Sequence, residues 1–471
     1  MATSCNRRLV LLAVAAAVAF TVPALVAEGR VTAKPVRRTT PSTRAASKRP
    51  RPTATPKTKR TIARDSSLPA VTAEEHDGLR LLFASTRERI VETRADGRDM
   101  NTAIAGANEF TVKLYKAVAV QQAGRNVVTG PYTALFALGM AYGGANAKTA
   151  EEMASVLGAT GLPGERWHAA INNYDLTLAA RLAGSGVEWT AANKVWLQRG
   201  LTPSAAYLDL LAGRYGSALA EADFTSKPDA ERQSINTWTK RQTKERIPEL
   251  FPPGTIGAGT RLVLVNAVAL DAPWNIPFDP ALTRPGPFRL ADGLVVAVPM
   301  MSYNLFLPSG RGPDFTAVEL PYKGGQLVMD VIVPTDLQRF EAELTAASLA
   351  ERLALIKDGG IHLSMPKFST RTHADLNDIL KDMGMPSAFA GADFSGITGG
   401  PNGLFIESVQ HEAFIAVDED GTKAAAATGV AMAASHGPTV TVDRPFLYVI
   451  RDKAAGTILF MGRVTDPSKT A

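Results

Sequence analysis

The 471-residue sequence has one cysteine and six histidines. That is too few for a disulfide framework or a Cys/His zinc array. The single Cys5 lies where signal processing would remove it, so the mature chain has no thiol chemistry. Acids are nearly missing from residues 1–64, where 14 Lys/Arg face Glu28 alone, a net of +13. Since the whole chain is +6, residues 65–471 are left at −7. The basic character belongs to a tail, which argues against a nucleic-acid-binding core, because phosphate contacts need Lys and Arg on the folded face. Charged residues reach 20% and apolar residues 45%, a profile with ample material for a core. The length fits about three domains, or one large domain with appendages.

Enzyme motifs are missing too. There is no G-x-S-x-G elbow, P-loop, H-E-x-x-H or dinucleotide glycine fingerprint. His411-Glu412 has no second histidine four residues on, and His168, His362, His373 and His436 show no ligand spacing. Ser364-Met365-Pro366-Lys367 formally matches S-x-x-K. That motif needs one helical turn, whereas Pro366 and the alternation of Ile361, Leu363 and Met365 indicate a strand. No nucleophile–base pair emerges, so no catalytic residue, metal ligand or cofactor is assigned, and the chain is not expected to be an enzyme.

What is present begins with Arg7-Arg8 and an apolar stretch from Leu9 to Val26, closing in small residues near Ala27. This reads as a secretory signal over 1–27, which implies an extracellular or periplasmic protein. An uncleaved anchor is the alternative, since 18 apolar residues sit at the lower limit for spanning a bilayer. Residues 28–64 form a basic linker rich in Pro and Thr with almost nothing to bury, expected to be disordered. It serves as a solvated spacer or as an electrostatic contact to an anionic surface.

Residues 65–103 read as a leading helical segment, with a helix over Asp77–Thr93, and a second helix is expected over Asn108–Val120. Gly130-Pro131 marks a turn before an apolar helix, Tyr132–Tyr142. Thr149 with Glu152 suggests a capping box, and Gly139, Gly143, Gly144 and Ala145 imply close backbone packing. Later segments switch to short apolar runs of period two, at 261–270, 325–334, 361–369, 411–418 and 444–463. Leu376, Ile379, Leu380 and Met383 then keep helical spacing, and Gly384 supplies a stop. Helices first and sheets later, without regular βαβ alternation, indicate an α+β fold.

The oddest stretch is 418–446, which leaves an apolar strand through acids and a glycine and runs on in alanines and other small residues. A long connection without apolar anchors inside a compact domain is usually functional. Small residues from Thr422 to Thr428 could enter a sheet at almost no steric cost.

At these residues the chain resembles a serpin, over 104–468 and in collinear order. The resemblance rests on Ala107-Asn108 with Phe110, Asn126 through Thr133, Ala192-Asn193 with Trp196, Ile235-Asn236 with Trp238, and Leu264-Val265-Asn266 before Trp274. It continues in Val318 through Tyr322, Met365-Pro366-Lys367-Phe368, and Asp443-Arg444-Pro445-Phe446 with Phe460-Met461-Gly462. The resemblance implies about nine helices, three sheets and an exposed reactive-centre loop. A protease cuts that loop and forms an acyl-enzyme, and the freed loop inserts as an extra strand and carries the protease with it. The implied hinge is Glu419, Gly421, Thr422, Ala424, Ala425, Ala426, Ala427 and Thr428, which fits the inhibitory pattern throughout. The family spacing of fourteen residues from Gly421 puts the scissile bond at Ser435–His436, with Ala434–Ser435 equally good and Met432 more distant.

Because the loop has no Lys or Arg between Lys423 and Arg444, the implied partners are elastase-like or subtilisin-like serine proteases. Papain-like cysteine proteases also form an acyl-enzyme and stay within reach. Asn126, Pro131, Thr133, Asn266 and His411 fall on the family's shutter and Trp274 on its breach, with Gly130 and Thr133 replacing the usual serines. No glycosaminoglycan-binding helix is expected around 158–170, and no nucleic-acid partner. The chain is expected to be a monomer. The alternative within the family is a non-inhibitory binding or carrier protein, or a chaperone, whose cut loop does not insert.

Overall fold

The computed structural model describes residues 75–76, 79–83, 85–91, 97–401, 403–422 and 439–471. Two short strands come first, β1 (Glu75–His76) and β2 (Leu79–Phe83), so the helix expected over Asp77–Thr93 is not formed. The alternation Leu79, Leu81, Phe83 serves a strand as well as a helix, and a waiting sheet edge decides between them. Helix α1 (Gly97–Gln121) extends eleven residues upstream of the expected Asn108, and buries Ala103, Ala107, Phe110, Leu114 and Val118 along one stripe. After β3 (Val127–Thr129), Pro131 opens the buried helix α2 (Pro131–Tyr142), where its missing N–H costs nothing.

Helix α3 (Ala147–Val156) starts earlier than the Thr149/Glu152 reading implied. Asn146 is its N-cap residue, while Thr149 and Glu152 instead accept backbone N–H bonds from Asp393 and Ser387. A true capping box occurs at Thr345 and Ser348, ahead of a later helix. The small-residue reading is met in part: a Cβ on Gly139, Gly143 or Gly144 would come within 2.3–2.7 Å of side-chain atoms of Tyr215, Leu210 or Ile397, and backbone meets backbone at Gly144, whose carbonyl oxygen lies 2.8 Å from where a Cβ on Gly396 would sit.

Next come α4 (Gly164–Leu182), β4 (Glu188–Gln198), α5 (Ala205–Tyr215), β5 (Leu219–Ala222), α6 (Pro228–Gln242) and the long central strand β6 (Leu262–Pro273). They are followed by β7 (Arg284–Arg289), β8 (Val295–Arg311), β9 (Phe315–Pro321), β10 (Leu327–Pro334), α7 (Leu337–Ala342), α8 (Ala346–Leu353), β11 (Lys357–Pro366) and β12 (Phe368–Asp375). The chain closes with α9 (Asn377–Met383), α10 (Ser395–Thr398), β13 (Ser408–Val417), β14 (Gly421–Thr422), β15 (Thr439–Thr441), β16 (Phe446–Asp452) and β17 (Ile458–Val464). Helix α9 stops as expected, with Gly384 left-handed at φ 119°. Ser364 lies on β11, which removes the S-x-x-K geometry.

One sheet runs β1-β2-β5-β4-β6-β14-β13-β12, and a second path runs β15-β11-β8-β9-β10-β16-β17-β3, with β7 on β8. The 17-residue β8 joins what would otherwise be two smaller sheets. One apolar core packs α1 to α3 against the sheets, a second lies between the two sheets, and a third sits under α6 with Trp196 and Trp238. Among the described residues no helix is long and apolar enough to cross a membrane.

Candidate hinge and gate of the central sheet

Strands β6 and β13 run parallel over seven partner pairs, from Ser408↔Val263 to Phe414↔Ala269. Parallel neighbours need a long crossover, so these two come from distant parts of the chain and meet only in the folded sheet. Beyond Ala269 they diverge, and β14 enters between them. Gly421 pairs with Pro273 and Thr422 with Ala272 on one side, while Val417 pairs with Thr422 on the other. The first two residues of the loop are thus already a strand of the sheet, antiparallel to both neighbours.

The sequence turns there because Asp418 Oδ1 accepts the N–H groups of Asp420 and Gly421 at 3.0 and 3.3 Å, and Asp418 N donates to Gly421 O. A side chain at Gly421 would put Cβ 2.3 Å from Ala272 O, so only glycine allows this approach. Thr422 is fully buried, with its hydroxyl 2.6 Å from Tyr322 Oη. Trp274 stacks on Tyr322 at 4.6 Å and 11°, and its Nε1 donates to Asp418 O at 3.0 Å. The backbone N–H of Trp274 reaches Asp420 O at 2.9 Å. Glu419 is held between Lys367 Nζ and Thr283 Oγ1. Burial alone would raise its pKa, but these donors outweigh it and hold the carboxyl below its usual range.

Lower down, where β6 and β13 touch, lies a polar cluster inside the apolar core. Asn266 Nδ2 donates to Asn193 Oδ1 at 2.6 Å, Asn266 Oδ1 bonds His411 Nδ1, and Gly130 N donates to His411 Nε2 at 3.2 Å. Asn266 and His411 are direct register partners across the β6–β13 ladder, so separating the strands breaks this bond. His411 is completely buried, and burial first, then the charge of His373, lowers its pKa to about 3, so the ring is neutral at pH 7. Thr133 Oγ1 donates to Gly130 O at 2.8 Å. Gly130 lacks a hydroxyl for a packing reason: a Cβ there would sit 2.3 Å from Val268 Cγ1.

The structure therefore gathers Asn266, His411, Thr133 and Gly130 at the gate, with Pro131 opening α2 beside them, and Trp274, Glu419, Gly421 and Thr422 at the entry point. Asn126 bonds elsewhere. Its side chain accepts from Thr465 N and Asp466 N at 2.8 and 2.9 Å and donates to Asp466 O, tying down the C-terminal segment rather than the Asn266–His411 cluster. Ala424, Ala425, Ala426, Ala427, Thr428, Ala434, Ser435 and His436 lie outside the described residues. Sequence reasoning missed four contributors, Asn193, Thr283, Tyr322 and Lys367. Three stood inside quoted motifs, but only tertiary contact reveals their partners. Thr283 carried no signal.

This is a mixed α+β protein whose loop has started to enter its own central sheet. Residues 105–467 match the model of the serpin (serine protease inhibitor) family. A serpin-like protein of Thermococcus kodakarensis is 37% identical over 368 residues, covering 76% of this chain and 84% of that one. The native-state structure of the thermophilic serpin tengpin superposes with a TM-score of 0.72 at 27% identity, over 80% of this chain and 97% of that one. Thyroxine-binding globulin, in complex with thyroxine, gives 0.69 at 27%, over 79% and 100%. The chain belongs to the serpin family. Serpins are generally protease inhibitors rather than enzymes, although the family also holds members that are not inhibitors.

Proposed function

We propose that this chain is a secreted inhibitor of serine proteases that acts as a suicide substrate, with elastase-like or subtilisin-like targets. The observation that carries the reading is β14, paired on both sides at the mouth of a slot that is closed below it. Continued in the same register, Ala424, Ala426 and Thr428 would fall opposite Leu270, Val268 and Asn266, and Thr428 would also face His411. The first two would point with Thr422 into the core between the sheets, where Leu270 and Val268 already lie, so alanine is the size that enters without strain. Secretion rests on the apolar run Leu9–Val26, and the small or uncharged residues Ala434, Ser435 and Met432, with no Lys or Arg between Lys423 and Arg444, carry the choice of target.

Cleavage frees about a dozen loop residues to gain ladder hydrogen bonds worth ~1 kcal/mol each, on the order of 10 kcal/mol before burial is added. That gain drives the insertion and makes the trap effectively irreversible. The test is to mix the purified chain with an elastase-like and a subtilisin-like protease and run denaturing gels, with mass spectrometry of the released C-terminal peptide. The expected result is a band stable to boiling detergent at the summed mass, with a cut at Ala434–Ser435 or Ser435–His436. Clean cleavage without that band, for every protease tried, would sink the inhibitor reading. It would favour the carrier reading, for which the likeness to a thyroxine-binding member is the motive.

A further inference from the structure

The hairpin of β7 and β8 turns one face inward and the other to solvent. Phe288, Val298 and Met300 are buried in the core between the sheets. The opposite face is built from three cross-strand pairs, Pro285↔Pro299, Pro287↔Ala297 and Arg289↔Val295, and all six residues are exposed. Directly opposed side chains lie about 5 Å apart, so these form one continuous patch rather than scattered single residues. Five of the six are apolar; Val295 is 55% exposed, and Leu294 beside it in the turn 64%. Arg289 is the one charge on the face, and it makes no ion pair among the described residues. The nearby Asp292 is engaged in the turn, where its Oδ1 accepts Leu294 N at 3.0 Å.

Among the described residues β7 has no strand on its other edge. That edge cannot be extended by a partner strand. Proline has no N–H, so Pro285 and Pro299 oppose each other without hydrogen bonds. The alternation of an antiparallel ladder then points the backbone groups of Pro287 and Arg289, like those of Pro285, to the free edge. Neither proline has an N–H to give, and the Arg289 N–H is taken by Asp443 O at 2.7 Å. A partner must therefore use the side chains of the face.

The position of the face singles out the partner. Strand β7 starts beside Thr283, whose Oγ1 holds Glu419 at 2.7 Å ahead of the loop, and it finishes at Arg289, on the Asp443 carbonyl beyond the loop. Sixteen residues, 423–438, connect Thr422 at one anchor to Thr439 at the other. The cut proposed above is three to five residues from Thr439, which tethers it within roughly 17 Å of β15. A protease seated on that bond stands over the foot of the loop, and a specific interface takes about 800 Å² from each partner, reaching past the cut to the flanking surface. We propose that the outward face of the β7–β8 hairpin is a second docking surface for the protease that the loop engages, fitted to an apolar rim with a carboxylate opposite Arg289. The proposal rests on the reading of the loop as protease bait, and it assigns part of the selectivity to residues far from the cut in sequence.

The test measures binding of the whole chain to catalytically dead elastase and subtilisin, each with its nucleophilic serine replaced by alanine, so that neither cleavage nor insertion contributes. A synthetic peptide of residues 423–438 stands for the loop alone. For at least one of the two enzymes, the chain should bind more tightly than the peptide, and Val295→Glu, Ala297→Glu and Arg289→Glu should each weaken it about fivefold or more. Leu355→Glu, at an exposed apolar site beside Gly310 at the far end of β8, should leave affinity unchanged. All four positions are exposed, and thermal midpoints check that each variant keeps the fold. No binding to either enzyme, or equal affinity of wild type and the three hairpin variants, would overturn the docking face. A wild-type dimer in sedimentation that Val295→Glu splits would give the face to a second copy and overturn it too. The inhibitor reading is judged separately, by the boiling-stable band with live protease: a band formed equally fast by wild type and hairpin variants would keep that reading and refute the face.

Discussion

At the scale of single residues, the gate is defined by what fits around Val268 and His411. Gly130 stands where the resemblance drawn from the sequence implied a serine, and the space a side chain would need is filled by Val268 Cγ1 on the neighbouring strand. Gly130→Ser should therefore destabilise the chain by about 1–3 kcal/mol through overpacking, and Gly130→Ser with Val268→Ala should recover most of that loss. Denaturant midpoints of the two variants check this; equal loss in both would refute the packing account. The substitution itself was plain in the sequence, but its cause was not, because Gly130 and Val268 are 138 positions apart.

His411 makes a second prediction. Its folded pKa of about 3 lies below the unfolded value near 6.5, so the unfolded chain takes up the proton first. Stability is fully present above pH 6.5 and falls as the pH drops toward 3, by about 2–3 kcal/mol at pH 4.5 for one such ring. His168, lowered to about 3 by its own burial, adds a term of the same sign, while Asp330, raised to about 6 by burial, opposes it. His411→Gln should remove the His411 part, so the difference in stability between wild type and variant should shrink from pH 7 to 4.5. A constant difference would show that His411 does not titrate as a buried neutral ring.

At the scale of elements, the two-residue strand β14 matters more than any helix. Its register sets which side chains follow it inward. Ala426→Arg would aim a charge at the core beside Val268, so protease trapping should give way to simple cleavage, with the covalent band falling tenfold or more. Ala427→Arg, on the opposite face, should be tolerated better; equal loss in both would contradict the register. Most elements were legible in the sequence, because the period-two runs at 261–270 and 411–418 and the apolar stretch 132–142 have no other way to bury their side chains. The failure at Asp77–Thr93 is equally physical. That segment is short and weakly patterned, and the edge of β5 pairs Leu81 with Ala220 and Phe83 with Leu219, which local pattern cannot foresee. The cap at Thr149 failed because the same side chain was taken by Asp393, far along the chain.

At the scale of the whole molecule, the proposed inhibition requires β6 and β13 to part and admit the loop between them. Seven partner pairs join β6 and β13, and the loop's first two residues hold the breach above them. The small residues after Gly421 were the part of this proposal legible in the sequence, whereas the pairing of β6 with β13 became readable only from the ladder. The most direct measurement compares the unfolding midpoint of the intact chain with that of the chain cut within its loop. Insertion predicts a rise of roughly ten degrees or more, since about 10 kcal/mol of new pairing is gained in a chain of this size. An unchanged midpoint after a verified cut would mean that the loop stays out of the sheet, and would contradict the account.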